Sequence, residues 1–214
     1  MALRELPHTP SGMCLVGGID SYFHPDTLEW LDRNRQLAGT VSRSGFIPGE
    51  AAGFLLLATQ QGLERLGLQG LAAVQGCAIG KEAKLIKTAE MCLGEGLSAT
   101  VRRAVDGALL PGERIDEIYC DINGERYRGE EWGFVYLRHS DCFDDPLGYR
   151  APANSWGDVG AASAPLFAML ACQAAEWGRQ KGPRTMLWAS SESGLRAAAV
   201  LVTAGARHHA GYPP

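Results

Sequence analysis

Residues 45–57 read GFIPGEAAGFLLL, a turn that leads directly into an apolar run. Pro48 and Gly49 favour a tight turn, because proline fixes its backbone φ angle and glycine tolerates conformations closed to other residues. The run that follows, residues 51–58, is short, apolar and preceded by turn residues, which predicts a buried strand. Glu50 stands at the junction, where its carboxylate could accept hydrogen bonds from backbone N–H groups. An ordinary turn before a core strand explains the same residues.

Strand-like and helix-like apolar patterns alternate along the rest of the chain. Strands are predicted over residues 13–19, 71–79, 115–122, 185–190 and 196–204. Helices are predicted over residues 24–37, with Asp26 or Thr27 as N-cap, and over 94–110 and 161–181, whereas residues 60–66 fit a short helix or a turn. Residues 132–137 fit either a helix or a strand, and residues 138–155 have the composition of a loop. This alternation favours an α/β fold with a largely internal sheet.

Composition excludes several classes of function. The 214 residues are 46% hydrophobic and carry a formal net charge of −4, so no general attraction to nucleic acid or to a membrane surface is expected. The longest weakly polar stretch, residues 161–175, is too short to span a bilayer. None of the six cysteines forms a C-x-x-C pair or a zinc-ligand spacing, which favours reduced thiols and a cytoplasmic location without a metal or cofactor.

The first stretch resembles a signature of the β-ketoacyl synthases, members of the thiolase superfamily. GFIPGEAAGFLLL is similar to the family's G-F-x-x-G-E-G-A-G-x-L-x-L, and residues 15–21, LVGGIDS, are similar to its strand ending in G-G-x-D-S. The two stretches occur in the family's order and at about its separation.

The resemblance continues downstream and implies a fold. Residues 115–125 correspond to a family strand ending in N-A-H-G-T, residues 155–164 (SWGDVGAASA) to G-H-x-x-G-A-A-G, and residues 189–201 to a glycine-rich turn and last strand. The resemblance therefore implies an α/β, thiolase-like layered fold. It assigns residues 1–68 to the end of the first half and residues 69–214 to the complete second half.

The catalytic residues that the resemblance implies are replaced. In the family, a cysteine attacks an acyl thioester, and two histidines hydrogen-bond the donor's thioester carbonyl during malonyl decarboxylation. Asn123 and Asp158 stand at the two histidine positions. An asparagine amide can still donate a hydrogen bond, but an ionised aspartate only accepts and repels an enolate. The family's nucleophile precedes the G-G-x-D-S strand, whereas Cys14 lies inside that strand and is interpreted as core.

Two functions remain open at this stage. The preferred hypothesis is a ketoacyl-synthase-like protein without condensing activity, acting as a binding subunit or adaptor in a bacterial assembly. It would form a homodimer or a heterodimer with a ketoacyl-synthase-like chain through an exposed apolar face, with acyl carrier protein or acyl-CoA as further partners. The alternative is an acyltransferase whose nucleophile comes from a missing N-terminal half or a partner chain, with Asp158 as base. A truncated gene product is a third interpretation.

Other polar residues have simpler explanations. Asp121 and Asp158 could in principle form an acid/base or metal-binding pair, although solvated charges explain such acids more often. His139 has the setting of a surface residue. His208 and His209 have the setting of a frayed terminus.

Overall fold

The computed structural model describes residues 2–39, 42–85 and 90–204. Its strands are β1 (Met13–Ser21), β2 (Glu50–Ala58), β3 (Ala72–Lys81), β4 (Glu117–Cys120), β5 (Arg184–Ser190) and β6 (Leu195–Thr203). Its helices are α1 (Ala2–Glu5), α2 (Pro25–Arg33), α3 (Gln60–Leu66), α4 (Glu95–Asp106), α5 (Arg126–Arg138), α6 (Ala153–Trp156) and α7 (Ser163–Glu176). Single 3₁₀ turns occupy Leu6–His8, Ser140–Cys142 and Gly160–Ala162.

The strands form two sheets on opposite sides of α7. In the first sheet, β1 and β2 pair antiparallel over their whole length, from Met13 opposite Ala58 to Ser21 opposite Glu50. In the second sheet the order is β3-β6-β5-β4, with β4 parallel to β5 and the other pairs antiparallel. Helix α7 contacts strands of both sheets, so the sheets share one helical layer.

The main core lies on the far side of the second sheet, under α4 and α5. Trp132 of α5 stacks on Trp188 of β5 with ring centroids 5.2 Å apart, and its edge meets Phe143. The other face of this sheet packs on α7, where Phe167 contacts a smaller apolar cluster that includes Leu187. The second sheet is therefore covered on both faces.

The first sheet is covered on one face only. Residues of β1 and β2 alternate between inward and outward positions, as strand geometry requires. The outward side chains Leu15, Ile19, Phe54 and Leu56 are 55 to 70% exposed. We refer to these four residues as the apolar face.

The predicted elements exist, but several of their boundaries were wrong. The helix predicted over 24–37 ends at Arg33, and its N-cap is His24, whose Nδ1 accepts a hydrogen bond from the backbone N–H of Asp26. Residues 132–137 belong to a longer helix, α5, which begins at Arg126. The helix predicted over 161–181 extends only from Ser163 to Glu176. The loop predicted over 138–155 contains a 3₁₀ turn and the start of α6.

Candidate functional site

The stretch at residues 45–57 supports the backbone of Asp158. The N–H of Asp158 donates to the carbonyl of Ile47 over 2.7 Å, and the N–H of Gly49 donates to the carbonyl of Asp158 over 2.8 Å. A side chain at residue 49 would not fit, because a Cβ there would lie 2.7 Å from the carbonyl oxygen of Trp156. The glycine of the turn is thus required by the close approach of the segment that carries Asp158.

The structure brings the two predicted site residues into direct contact. Asn123 follows β4, Asp158 lies just before α7, and both side chains are buried. Asn123 Nδ2 donates to Asp158 Oδ2 over 2.6 Å and lies 3.3 Å from Glu125 Oε2. The second oxygen of Asp158, Oδ1, accepts the N–H of Gly160 over 2.8 Å.

Arg128 is the centre of the same buried network, and no sequence pattern predicted its role beyond the dense acids around β4. Its Nη1 donates to Asp121 Oδ2 over 2.6 Å, and its Nη2 lies 3.9 Å from Asp158 Oδ2. Burial opposes the charge of Arg128, yet Asp121 and the neighbouring acids hold its pKa above the ordinary value. Burial also raises the pKa of Asp121, and the adjacent guanidinium only partly offsets this.

A cavity of about 670 Å³ adjoins this network. One wall is aromatic and consists of Tyr22, Trp30 and Phe46; the Tyr22 and Phe46 rings meet edge to face at 5.2 Å. The opposite wall is formed by the ends of β5 and β6 and the turn between them. The predicted site residue Asp158 lines the cavity, and its partner Asn123 lies directly behind it.

A second buried polar cluster lies outside the cavity, at Glu82, Cys92 and Glu131. One potential ligand atom of each lies within 4.8 Å of the others, which is a spacing that a metal ion could use. However, Arg196 Nε donates to both oxygens of Glu131, at 2.9 and 3.1 Å. A guanidinium already neutralises this carboxylate, so the cluster is explained as an ion pair.

Within the part of the chain that the structure describes, no cysteine or histidine lines the cavity. All six cysteines fall within the described ranges, none is disulfide-bonded, and none lines the cavity. Cys14, interpreted from sequence as core, is only half-buried on β1, and Cys77 is exposed. His139 is partly buried rather than a surface residue. His208 and His209 lie outside the described residues.

Solved structures with a similar fold are ketosynthases. A ketosynthase in a type II PKS complex with its acyl-carrier protein and a hexaketide matches 90% of this chain and 56% of its own, with 14% identity and a TM-score of 0.73. The ketosynthase from module 6 of the Bacillus subtilis 168 bacillaene synthase matches 90% of this chain and 42% of its own, with 16% identity and a TM-score of 0.73. The ishigamide ketosynthase/chain length factor matches 90% and 54%, with 20% identity and a TM-score of 0.71.

The fold is that of the ketosynthases. The predicted α/β, thiolase-like class is therefore confirmed. The chain spans about half the length of these ketosynthases. No protein-family model matches the sequence, and no curated protein matches it. The division at residues 68 and 69 stays a prediction, as do the roles of Asn123 and Asp158. Among the described helices, none has the length and apolar character needed to cross a bilayer.

Proposed function

We propose that this chain is a ketosynthase-like binding subunit that does not carry out decarboxylative condensation. The observation that carries the proposal is the hydrogen bond between Asn123 and Asp158. These two residues stand where the resemblance places the hydrogen-bond donors of the reaction, and here they bond to each other.

The hydrogen-bond inventory of the pair leaves no donor for a substrate. An asparagine amide has two N–H groups, and Nδ2 of Asn123 is within reach of two carboxylates, those of Asp158 and Glu125. Asp158 accepts at both oxygens, from Asn123 and from Gly160. A thioester carbonyl that becomes an enolate needs donors directed at its oxygen. In this site, the thioester oxygen would instead face the carboxylates of Asp158 and Glu125.

The charge around Asp158 also opposes malonyl chemistry. Asp121, Glu125 and Asp158 surround the single guanidinium of Arg128. A malonyl carboxylate entering the cavity would meet more negative than positive groups at short distance, where charges are poorly screened. Binding and decarboxylation of an anionic donor are therefore both disfavoured.

The alternative acyltransferase requires Asp158 to act as a base. Each of its oxygens already accepts a hydrogen bond from an internal donor, which leaves fewer lone pairs for an incoming amine or hydroxyl. A cysteine nucleophile would also have to come from outside the described residues, since none of the six cysteines lines the cavity. The chain spans about half the length of the ketosynthases it resembles. The acyltransferase alternative therefore requires a missing N-terminal half or a partner chain to supply the nucleophile.

A protein partner follows from the apolar face. Four large apolar side chains lie more than half exposed on a two-stranded sheet, and a sheet of only two strands is marginal without further packing. Of the similar structures, one is a complex with an acyl-carrier protein and one is a ketosynthase/chain length factor. We propose a ketosynthase-like chain, as homodimer or heterodimer, on this face, with acyl carrier protein or acyl-CoA as further partners, in the cytoplasm.

The test is to incubate the full chain with malonyl-CoA and with acetyl-CoA, and to measure carbon dioxide release and acyl transfer to hydroxylamine. The proposal expects neither rate to exceed that of the protein-free reaction. Asp158→His, which restores the family residue at one position, is expected to leave both rates unchanged because no cysteine lines the cavity. A wild-type rate that Asp158→Asn abolishes would overturn the proposal and support the acyltransferase.

A further inference from the structure

The cavity beside Asp158 carries an excess of negative charge. Five carboxyl groups and two guanidinium groups line it, which leaves a net charge of −3 (two minus five) when all are ionised. The carboxyl groups are those of Asp20, Asp121, Glu125, Asp158 and Glu192, and the guanidinium groups are those of Arg128 and Arg196. Arg196 is moreover bound to Glu131, which does not line the cavity. The surplus at the cavity wall favours a cation and disfavours an anion.

Two residues that line the cavity each carry a buried acceptor atom with no partner among the described residues. These atoms are Gln36 Oε1 and Asp121 Oδ1. Gln36 is 5% exposed and Asp121 is 8% exposed, and both residues line the cavity. An unpaired buried acceptor costs free energy, which a ligand that donates a hydrogen bond recovers. A ligand that donates hydrogen bonds and carries positive charge would therefore complement this cavity.

The aromatic wall favours an organic cation in particular. Trp30 is 54% exposed and lines the cavity, as do Tyr22 and Phe46, whose rings meet edge to face. Aromatic faces attract cations through their quadrupole and pack against apolar groups. A bare metal ion has no apolar body to pack against these rings. Among the described residues, the metal-like grouping of three close ligand atoms is at Glu82, Cys92 and Glu131, away from this cavity.

We propose that this cavity binds an organic ammonium ion with an apolar body. The charged nitrogen would face the carboxylates around Arg128, where its N–H groups can supply the missing donors. The apolar body would lie against Trp30, Tyr22 and Phe46. This inference deepens the proposed binding role. It rests on that role only because it takes this cavity as the place where the chain binds a ligand.

The experiment is isothermal titration of the full chain at low salt with three probes of one chain length: butylammonium, 1-butanol and butyrate. Butylammonium is expected to bind at least ten-fold more tightly than butyrate, which corresponds to about 1.4 kcal/mol. It is also expected to bind more tightly than 1-butanol, because the neutral probe keeps the apolar contact but lacks the charge.

A matched pair of tryptophan variants locates the binding site. Trp30→Ala is expected to weaken butylammonium binding by about three-fold or more. Trp177→Ala is the control, because Trp177 is similarly exposed, at 58%, but lines a different cavity near Arg150. It is expected to leave the affinity unchanged. Thermal melts of both variants verify that each remains folded.

Several outcomes would overturn the inference: no saturable binding of butylammonium, equal or tighter binding of butyrate or 1-butanol, an equal loss in both tryptophan variants, or complete displacement by Mg²⁺. The last would identify a metal site instead. These results are independent of the decarboxylation assay. A catalytically active chain would contradict the proposed function, whereas a chain inactive in that assay that fails to bind butylammonium would contradict only this inference.

Discussion

Asn123 Nδ2 donates a hydrogen bond to Asp158 Oδ2 over 2.6 Å, and both residues are more than nine-tenths buried. The bond joins the end of β4 to the segment before α7. The backbone of Asp158 is in turn bonded to Ile47 and Gly49. Three segments that are far apart in sequence therefore meet at one residue, Asp158, which makes the pair a structural junction.

Removal of the Asp158 carboxylate should destabilise the fold. Asp158→Ala leaves the buried donors of Asn123 and Gly160 without an acceptor and takes one anion from the surroundings of Arg128. We expect a loss of about 2 kcal/mol in the free energy of unfolding, measured by urea denaturation. Asp32→Ala, at an exposed aspartate, is the control and should have little effect. An unchanged stability for Asp158→Ala would show that the junction is not structural and would favour a role in chemistry.

The resemblance predicted Asn123 and Asp158 as the residues at the family's two histidine positions, but it did not predict their hydrogen bond or the role of Arg128. Arg128 reaches Asp121 and Glu125 only because α5 begins at Arg126 and turns the guanidinium back toward the strand end. That start is hard to predict, since the first turns of α5 combine charged residues with Gly129 and lack a clear apolar stripe.

The apolar face should mediate self-association of the chain. Leu15→Asp combined with Phe54→Asp places two charges on this face, which a dry interface cannot accommodate. We expect the wild-type chain to sediment as a dimer or larger species at micromolar concentration and the double variant to sediment as a monomer. Leu137→Asp is the control, because Leu137 is 67% exposed on α5. A wild-type monomer, or an equal effect of Leu137→Asp, would contradict this assignment.

His139 should make stability depend on pH. Burial lowers the pKa of His139, and the positive charges of Arg102 and Arg138 lower it further. A hydrogen bond with the backbone of Ser98 and the carboxylate of Asp141 raise the pKa, but they offset the other effects only in part. The unfolded chain, in which histidine has its ordinary pKa near 6.5, then binds more protons than the folded chain as the pH falls through that value. The free energy of unfolding should therefore be highest above about pH 6.5 and decline as the pH falls below that value.

His139→Gln removes this titration. Urea denaturation at about pH 7.5 and about pH 5.5 should show a smaller decline for the variant than for the wild-type chain. His8→Gln, at an exposed histidine, is the matched control, and the stability of this variant should decline as that of the wild type does. Equal slopes for His139→Gln and the wild-type chain would mean that His139 is solvated in solution.

Two glycine-to-alanine substitutions should have opposite effects on stability. At Gly18 in β1, an added Cβ would lie 2.0 Å from the carbonyl oxygen of Ala161, so the strand or the segment before α7 must move. We expect Gly18→Ala to cost about 3 kcal/mol. Gly129 lies exposed inside α5, and an added Cβ there meets no atom within 4 Å. Because alanine is the better helix former, Gly129→Ala should stabilise the fold by up to about 1 kcal/mol. Denaturation curves of the two variants measure both signs, and a neutral Gly18→Ala would show that β1 does not approach Ala161 as closely as the structure places it.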